Sequence, residues 1–365
     1  MDTIRIGILG CGPRGMQMAW VTKLIPEYFT LTCMSDPDNN ALESAQKNFP
    51  EIKLFQSSDE LLDSGLADAV ITEIPPAIHT EYVVKALERN IHVLGEIPAV
   101  NSYEEGCYLW EKVNSAKALY MGGANPNYRE KTYFALELKK KGKLENVAYI
   151  ETSYIHDLSR SKDAWRSTYE SCRYCTHSLG PVLKLIESAP KTVSCMSTGD
   201  RIGNGCSHNA MTATYQTENG ILIRLLTAFS MPYKGPAHTT KIFCKSGIVE
   251  LYNEKARCWL PADTDPANPQ QEDFVEIPLS VNGASRPDRL KIIDEEMFRK
   301  ASWGHNGSDL FMMQDFADAI LNHKPSPVGI REALQMTLPG IYAAESAREG
   351  GALKQIKYPW DQTNK

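Results

Sequence analysis

No apolar run in the 365 residues approaches the roughly 20 that a helical membrane span requires, so no such span is expected. A basic stripe is also missing; with a formal net charge of −6, nucleic acid is not expected as a main partner. A disulfide framework is not indicated either. Nine cysteines are scattered and odd in number, which suits a reducing compartment rather than a disulfide framework. Cys172-Arg173-Tyr174-Cys175 is a C-x-x-C, but no second cysteine pair or spaced histidines accompany it, and no metal is assigned. Internal repeats and low-complexity tracts are lacking. The first strand starts at once and leaves no room for a signal peptide, so a cytoplasmic location is expected. The length exceeds the size at which one core keeps growing, which predicts two domains.

The first segment reads as a dinucleotide site. A buried strand over residues 4–9 runs into Gly10-Cys11-Gly12-Pro13-Arg14-Gly15, a complete G-x-G-x-x-G, followed by a helix over 16–24. Gly10 permits the tight turn, Gly12 admits a pyrophosphate, and Gly15 allows close helix–strand packing, while the helix N-terminus offers N–H donors. A second strand over 29–35 ends at Asp36, whose carboxylate suits ribose hydroxyls and repels a 2′-phosphate, favouring NAD over NADP.

Strands and helices then alternate: helix 59–64, strand 69–72, helix 80–88, strand 91–94, helix 103–115 and strand 118–121. This predicts an α/β fold with an N-terminal Rossmann, doubly wound parallel sheet over residues 1–122. Strand ends cluster at Pro75-Pro76, Glu96-Ile97-Pro98 and Gly122-Gly123, where open parallel sheets bind ligands. The candidate cofactor-binding set is Gly10, Cys11, Gly12, Pro13, Arg14, Gly15, Asp36, Pro75, His79, Glu96 and Asn125. Residues 123–365 read as a substrate-binding α+β domain whose terminal helices pack back on the first. It has a helix over 130–140, strands over 147–154, 212–216, 221–228, 239–243 and 248–252, and helices over 308–321 and 329–348. The strands predict an open, mainly antiparallel sheet, and 261–272, rich in Pro, Asp and Gln, a surface loop.

Taken together these residues resemble the glucose-fructose oxidoreductase and inositol dehydrogenase superfamily over nearly the whole length. Its dehydrogenases usually carry Glu-Lys-Pro where this chain has Glu96-Ile97-Pro98, and isoleucine cannot replace a proton-transferring lysine. A narrower resemblance is to glycoside hydrolase family 109, whose Glu-Val-Pro-Ala is similar to Glu96-Ile97-Pro98-Ala99. Further similarities follow in order: Asn127-Tyr128-Arg129, Tyr154-Ile155-His156-Asp157-Leu158, Trp165-Arg166, Tyr174-Cys175-Thr176-His177-Ser178-Leu179-Gly180-Pro181, Met231-Pro232-Tyr233, and Gly304-His305-Asn306-Gly307-Ser308-Asp309.

That resemblance implies an NAD-dependent glycosidase. Hydride leaves C3 of the sugar for the cofactor, the ketone acidifies the C2 proton, a base removes it, and the aglycone is eliminated from C1. Water then adds and the hydride returns to C3. It implies His177 and Tyr154 as catalytic, the first at the C3 hydroxyl and the second as the C2 base, with Arg166, Tyr174, Tyr233, His156 and Tyr128 binding substrate. Ala124 stands where the family carries a glutamate that touches the sugar, so the resemblance leaves the sugar unassigned. The expected partner is a small carbohydrate or glycoside, and a homo-oligomer is expected by analogy of fold. The alternatives are a sugar oxidoreductase giving a 3-keto product and a non-catalytic NAD and sugar sensor.

Overall fold

A computed structural model describes residues 3–157, 168–233, 235, 237–252, 255–260, 275–279, 305 and 307–362. The chain divides into two compact units, one of Met1–Tyr128, Asp288–Leu334 and Tyr358–Lys365, the other of Arg129–Pro287 and Gln335–Lys357.

The first unit opens with β1 (Ile4–Leu9), α1 (Pro13–Leu24), β2 (Phe29–Ser35), α2 (Asn39–Asn48), β3 (Lys53–Phe55) and α3 (Ser58–Asp63). It continues with β4 (Ala69–Thr72), α4 (Pro76–Glu88), β5 (His92–Gly95), α5 (Tyr103–Ser115) and β6 (Tyr120–Gly122). The six strands pair in parallel in the order β3-β2-β1-β4-β5-β6. This is the doubly wound sheet expected of the first segment. Its central strands are covered on both faces, and Ile6, Ile8, Val70, Ile71, Val93 and Leu94 are all buried, which explains their near-continuous apolar runs. Helix starts are set by side chains that satisfy free backbone donors: Asp38 accepts from Asn40 N, and Ser102 accepts from Glu105 N at 3.1 Å. Sequence patterning passes over α2 because Ala45 is its only buried residue, leaving no apolar period to read.

The second unit carries α6 (Glu130–Lys140), β7 (Tyr149–Ile155), α7 (Thr176–Ile186), β8 (Pro190–Ser197), β9 (Met211–Thr217), β10 (Leu222–Ala228) and β11 (His238–Cys244). There follow β12 (Gly247–Leu251), β13 (Lys255–Trp259) and β14 (Val275–Pro278). The chain then forms α8 (Ser308–Leu321), α9 (Ile330–Arg348) and β15 (Lys354–Gln355). The sheet runs β14-β13-β12-β11-β7-β10-β9-β8-β15, with antiparallel neighbours except for the parallel pair β7 and β10. Its strands alternate buried with half-exposed residues, as in β9, because one face is wet. The proposed loop over 261–272 lies outside the described residues. No helix among the described residues is long and apolar enough to cross a membrane.

Candidate functional site

Two groups of residues carry chemistry, one in each unit. In the first unit the turn between β1 and α1 is built for a close approach to the backbone. Gly10 has φ +101°, and a side chain there would meet the Glu73 carbonyl oxygen at 2.2 Å. A methyl on Gly15 would lie 1.9 Å from Gly10 O, whereas one on Gly12 would meet nothing within 4 Å. Pro13 opens α1. Asp36 holds the turn: one carboxylate oxygen accepts from Cys11 N at 2.7 Å and the other from Asp38 N at 2.9 Å. Burial, then the Asp36 charge, pushes the Cys11 thiol up to about 12, so it stays a neutral packing group.

Beside this turn stands a polar cluster centred on Arg14. Its guanidinium makes a fork with Asp309, Nη1 to Oδ2 at 2.7 Å and Nη2 to Oδ1 at 2.8 Å. It also donates to Glu96 Oε1 from Nε at 3.1 Å and Nη2 at 3.0 Å, and lies 3.6 Å from Glu73 Oε1. His305 Nδ1 is 2.9 Å from Asp309 Oδ2 and 2.9 Å from Asn125 Nδ2. Burial alone would raise Asp309, but Arg14 and His305 outweigh it and hold the carboxyl well below the usual range. Burial, then Glu96, drives Glu73 the other way, well above the usual range. Glu73 carries no local sequence signal as a site residue, and Asp309 closes the similarity over 304–309 without being singled out by it. Pro75 caps α4, and His79 is 2% exposed with Nε2 2.6 Å from Thr72 Oγ1, so it braces the β4 end rather than facing solvent. Ile97, in the lysine position, is buried at 3% exposure.

In the second unit, strand register and helix spacing assemble an aromatic and imidazole wall. Tyr154 of β7 is directly opposite His238 of β11, and their rings stack with centroids 4.3 Å apart. His156, two residues on, meets Tyr154 edge-on at 4.6 Å. Tyr174, in a 3₁₀ turn, and His177, in the first turn of α7, stack at 4.5 Å; His177 lies 5.3 Å from Tyr154. Phe229 closes edges against both tyrosines. Of the residues proposed for substrate, Tyr154, His156, Tyr174 and His177 are thus gathered. Tyr233 belongs to the same unit at 41% exposure, Tyr128 is a fully buried residue of the first unit, and Arg166 lies outside the described residues.

Sequence reasoning passes over two members of this wall. His238 is 6% exposed, and burial, then Arg129, pushes its imidazole well below the usual value. Lys131 of α6 is 6% exposed and donates to His238 O at 3.1 Å; burial, then Arg129, depresses its amine strongly. Lys131, His177, Ser178 and His238 line one small cavity together with apolar side chains such as Val182 and Leu185. A charged residue on the inward face of α6, beside Thr132 and Ala135, is the signal that could have found Lys131.

Cys172 and Cys175 are packing groups. Their thiols lie against the backbone of α9, Cys175 Sγ being 3.2 Å from Met336 O. Among the described residues no group of three or more His, Cys, Asp or Glu could hold a metal ion.

Residues 4–124 match the oxidoreductase family with an NAD-binding Rossmann fold. The chain is 27% identical to glycosyl hydrolase family 109 protein 2 of Shewanella sp. (strain ANA-3) over 55% of its own length and 47% of that protein's, so it spans about half the length of that relative. It is 25% identical to glycosyl hydrolase family 109 protein 1 of Phocaeicola vulgatus over 96% of this chain and 83% of that one. Scyllo-inositol dehydrogenase from Lactobacillus casei, solved with NAD(H) and scyllo-inositol, superposes with a TM-score of 0.74 at 18% identity over 97% and 99% of the two chains, which shows the shared fold. The turn fits the cofactor: Gly12 leaves open space, and Asn125 Oδ1, in a residue 3% exposed, has no partner among the described residues. NAD is the cofactor of this Rossmann domain.

Proposed function

We propose that this chain, whose residues 4–124 belong to the oxidoreductase family with an NAD-binding Rossmann fold, is an NAD-dependent sugar-processing enzyme that cleaves a glycoside by transient oxidation, elimination and hydration. The observation that carries this reading is the cluster that Tyr154 forms with His177 and His238, whose ring centroids lie 5.3 and 4.3 Å from its own, in a chain whose lysine position holds Ile97. The names of the two family 109 relatives support the same reaction class.

When bound, NAD⁺ supplies a hydride acceptor and, once reduced, a hydride donor. The chain's residues handle protons. His177 takes the hydroxyl proton from the carbon being oxidised and gives it back on reduction, since imidazole exchanges protons near neutral pH. Tyr154 acts as its phenolate, taking the proton next to the new carbonyl and becoming the phenol, with the neighbouring rings holding the side chain in place. Phe229 and Tyr174 exclude water from that exchange and offer faces to the sugar. Gly10, Gly12 and Gly15 shape the turn for the pyrophosphate, and the α1 N-terminus offers donors to it.

The test supplies NAD⁺ with a panel of α- and β-aryl glycosides and follows aglycone release and NADH absorbance together. Aglycone without net NADH, with deuterium entering C2 from heavy water, is the expected result. NADH accumulating with oxidised sugar replaces this reading by a dehydrogenase, and silence in both channels by a sensor. His177→Ala is expected to lower turnover by about 10²–10⁴-fold.

A further inference from the structure

We propose that the small cavity lined by α6, α7 and the sheet of the second unit is a carboxylate-binding subsite, in which Lys131 and Ser178 hold the anionic head. The inference does not need the redox reading, because the binding that tests it is measured without cofactor and without turnover.

Helical spacing and strand register assemble the cavity. Lys131 and Ala135, four residues apart on α6, are both buried and both line it, and Ser178, Val182 and Leu185 share one face of α7. His177, next to Ser178, and His238 of β11 belong both to this lining and to the rings around Tyr154, so the cavity adjoins that cluster. Ile242 of β11 and Leu251 of β12 give the sheet side an apolar surface.

Two polar groups in this lining have unused hydrogen-bonding capacity. Lys131 is 6% exposed, and among the described residues its amine makes one hydrogen bond, to His238 O at 3.1 Å, although an ammonium has three donors. Ser178 is 5% exposed, and its buried Oγ has no partner among the described residues. The hydroxyls on the sheet side differ: Thr152 Oγ1 donates to Thr239 O at 3.0 Å and lies 3.3 Å from Thr240 Oγ1. An amine on one helix and an orphaned hydroxyl on another, lining the same cavity, are what a site for an acceptor group presents. For packing alone, Leu or Met would fill the Lys131 position without the cost of taking an amine out of water.

Charge and size choose the acceptor. No Asp or Glu is among the described residues that line the cavity; the titratable groups facing the amine are His177 from α7 and His238 from β11, and Arg129, ahead of α6, has the same sign as Lys131. An anion therefore supplies the opposite charge that the fold withholds from this amine. The free space somewhat exceeds what one water molecule needs, which suits a planar carboxylate better than a tetrahedral phosphate or sulfate. Lys131 donates to the carboxylate, Ser178 donates a second bond, and the carbon that carries the head meets Ala135, Val182 and Leu185. Such a head comes on a free short-chain acid or on a sugar acid whose ring lies against the Tyr154 cluster.

Binding of sodium acetate to the full chain is measured by saturation-transfer NMR of the acetate methyl protons at constant ionic strength, with acetamide as the neutral comparison of the same shape. Saturable acetate binding is expected, with contacts from its methyl to the Val182 and Leu185 methyls, and acetamide is expected to bind at least about tenfold more weakly. Lys131→Met is expected to weaken acetate binding by at least about tenfold and Ser178→Ala by about threefold. Sodium glucuronate and glucose separate the two sources. Displacement of acetate by glucuronate but not by glucose supports the subsite with a sugar acid as its ligand, and retention of acetate against both supports it with a free acid. No saturable acetate binding, no contact with Val182 and Leu185, acetamide binding as tightly, or an unchanged affinity in Lys131→Met would overturn the proposal and leave the cavity to water. Should a variant not fold, the wild-type contacts and the comparison of acetate with acetamide decide alone.

Discussion

Asp309 in the first unit and Lys131 in the second are buried to a similar degree, yet burial leads them to opposite ends. Asp309 is 0% exposed and Lys131 6%. Asp309 faces Arg14 in a two-bond fork, and the opposite charge more than offsets the loss of water, so the carboxylate stays ionised. Among the described residues no carboxylate pairs with Lys131; its amine meets the His238 carbonyl oxygen, and burial, then Arg129, drives it towards the neutral form. Burial alone does not decide protonation. What decides it is whether the fold brings an opposite charge along. The first unit thus keeps a compensated cluster of charges, and the second a group of stacked rings beside a depressed amine.

The largest expected effect breaks the compensated side. Asp309→Asn leaves Arg14 and His305 short of their shared acceptor and is expected to cost about 3 kcal/mol in chemical denaturation, because one partner of a buried pair remains. The pH dependence has a definite sign. The folded carboxyl titrates below its unfolded value of 3.8, so its contribution is full above that value and is lost as pH falls through the folded one. The variant should therefore lose wild type's extra sensitivity to acid in that window, and an equal acid slope in the two proteins would refute the assignment.

Next in size is a change that touches binding without touching the fold. Gly12→Ala places a methyl in open space, so thermal stability of the free protein is expected to stay within about 0.5 kcal/mol. Affinity for NAD⁺ is expected to fall by about a hundredfold, since the methyl stands where the pyrophosphate must approach. Equal affinities for variant and wild type would place the cofactor elsewhere.

The smallest effect tests the uncompensated side. Lys131→Met swaps a depressed amine for an apolar chain of similar length and is expected to stabilise the protein by about 1 kcal/mol at pH 7. The unfolded lysine titrates at 10.5 and the folded one well below, so the folded state's penalty is complete below the folded value and fades as pH rises towards 10.5. The gain should fade in the same window. A loss of stability at pH 7 would instead mean that the amine is held charged by a partner.

The sequence by itself determined the Rossmann sheet, the glycine turn and Asp36, because each is a local pattern. Continuous apolar runs mark buried parallel strands, and the glycines sit where only a missing side chain fits, as the 1.9 Å approach at Gly15 shows. It also singled out Tyr154, His156, Tyr174 and His177, through motifs of neighbouring residues. Tertiary structure alone decided which groups join them. His238 reaches Tyr154 by strand register across 84 positions, and Asp309 reaches Arg14 across 295. Helix α2 and strand β3 have too few buried side chains for a readable period, and only packing against the sheet fixes them. Protonation was decided there as well. A glutamate, an aspartate and a lysine look alike in a sequence whatever their fate, and only the charges that the fold sets around Glu73, Asp309 and Lys131 push them apart.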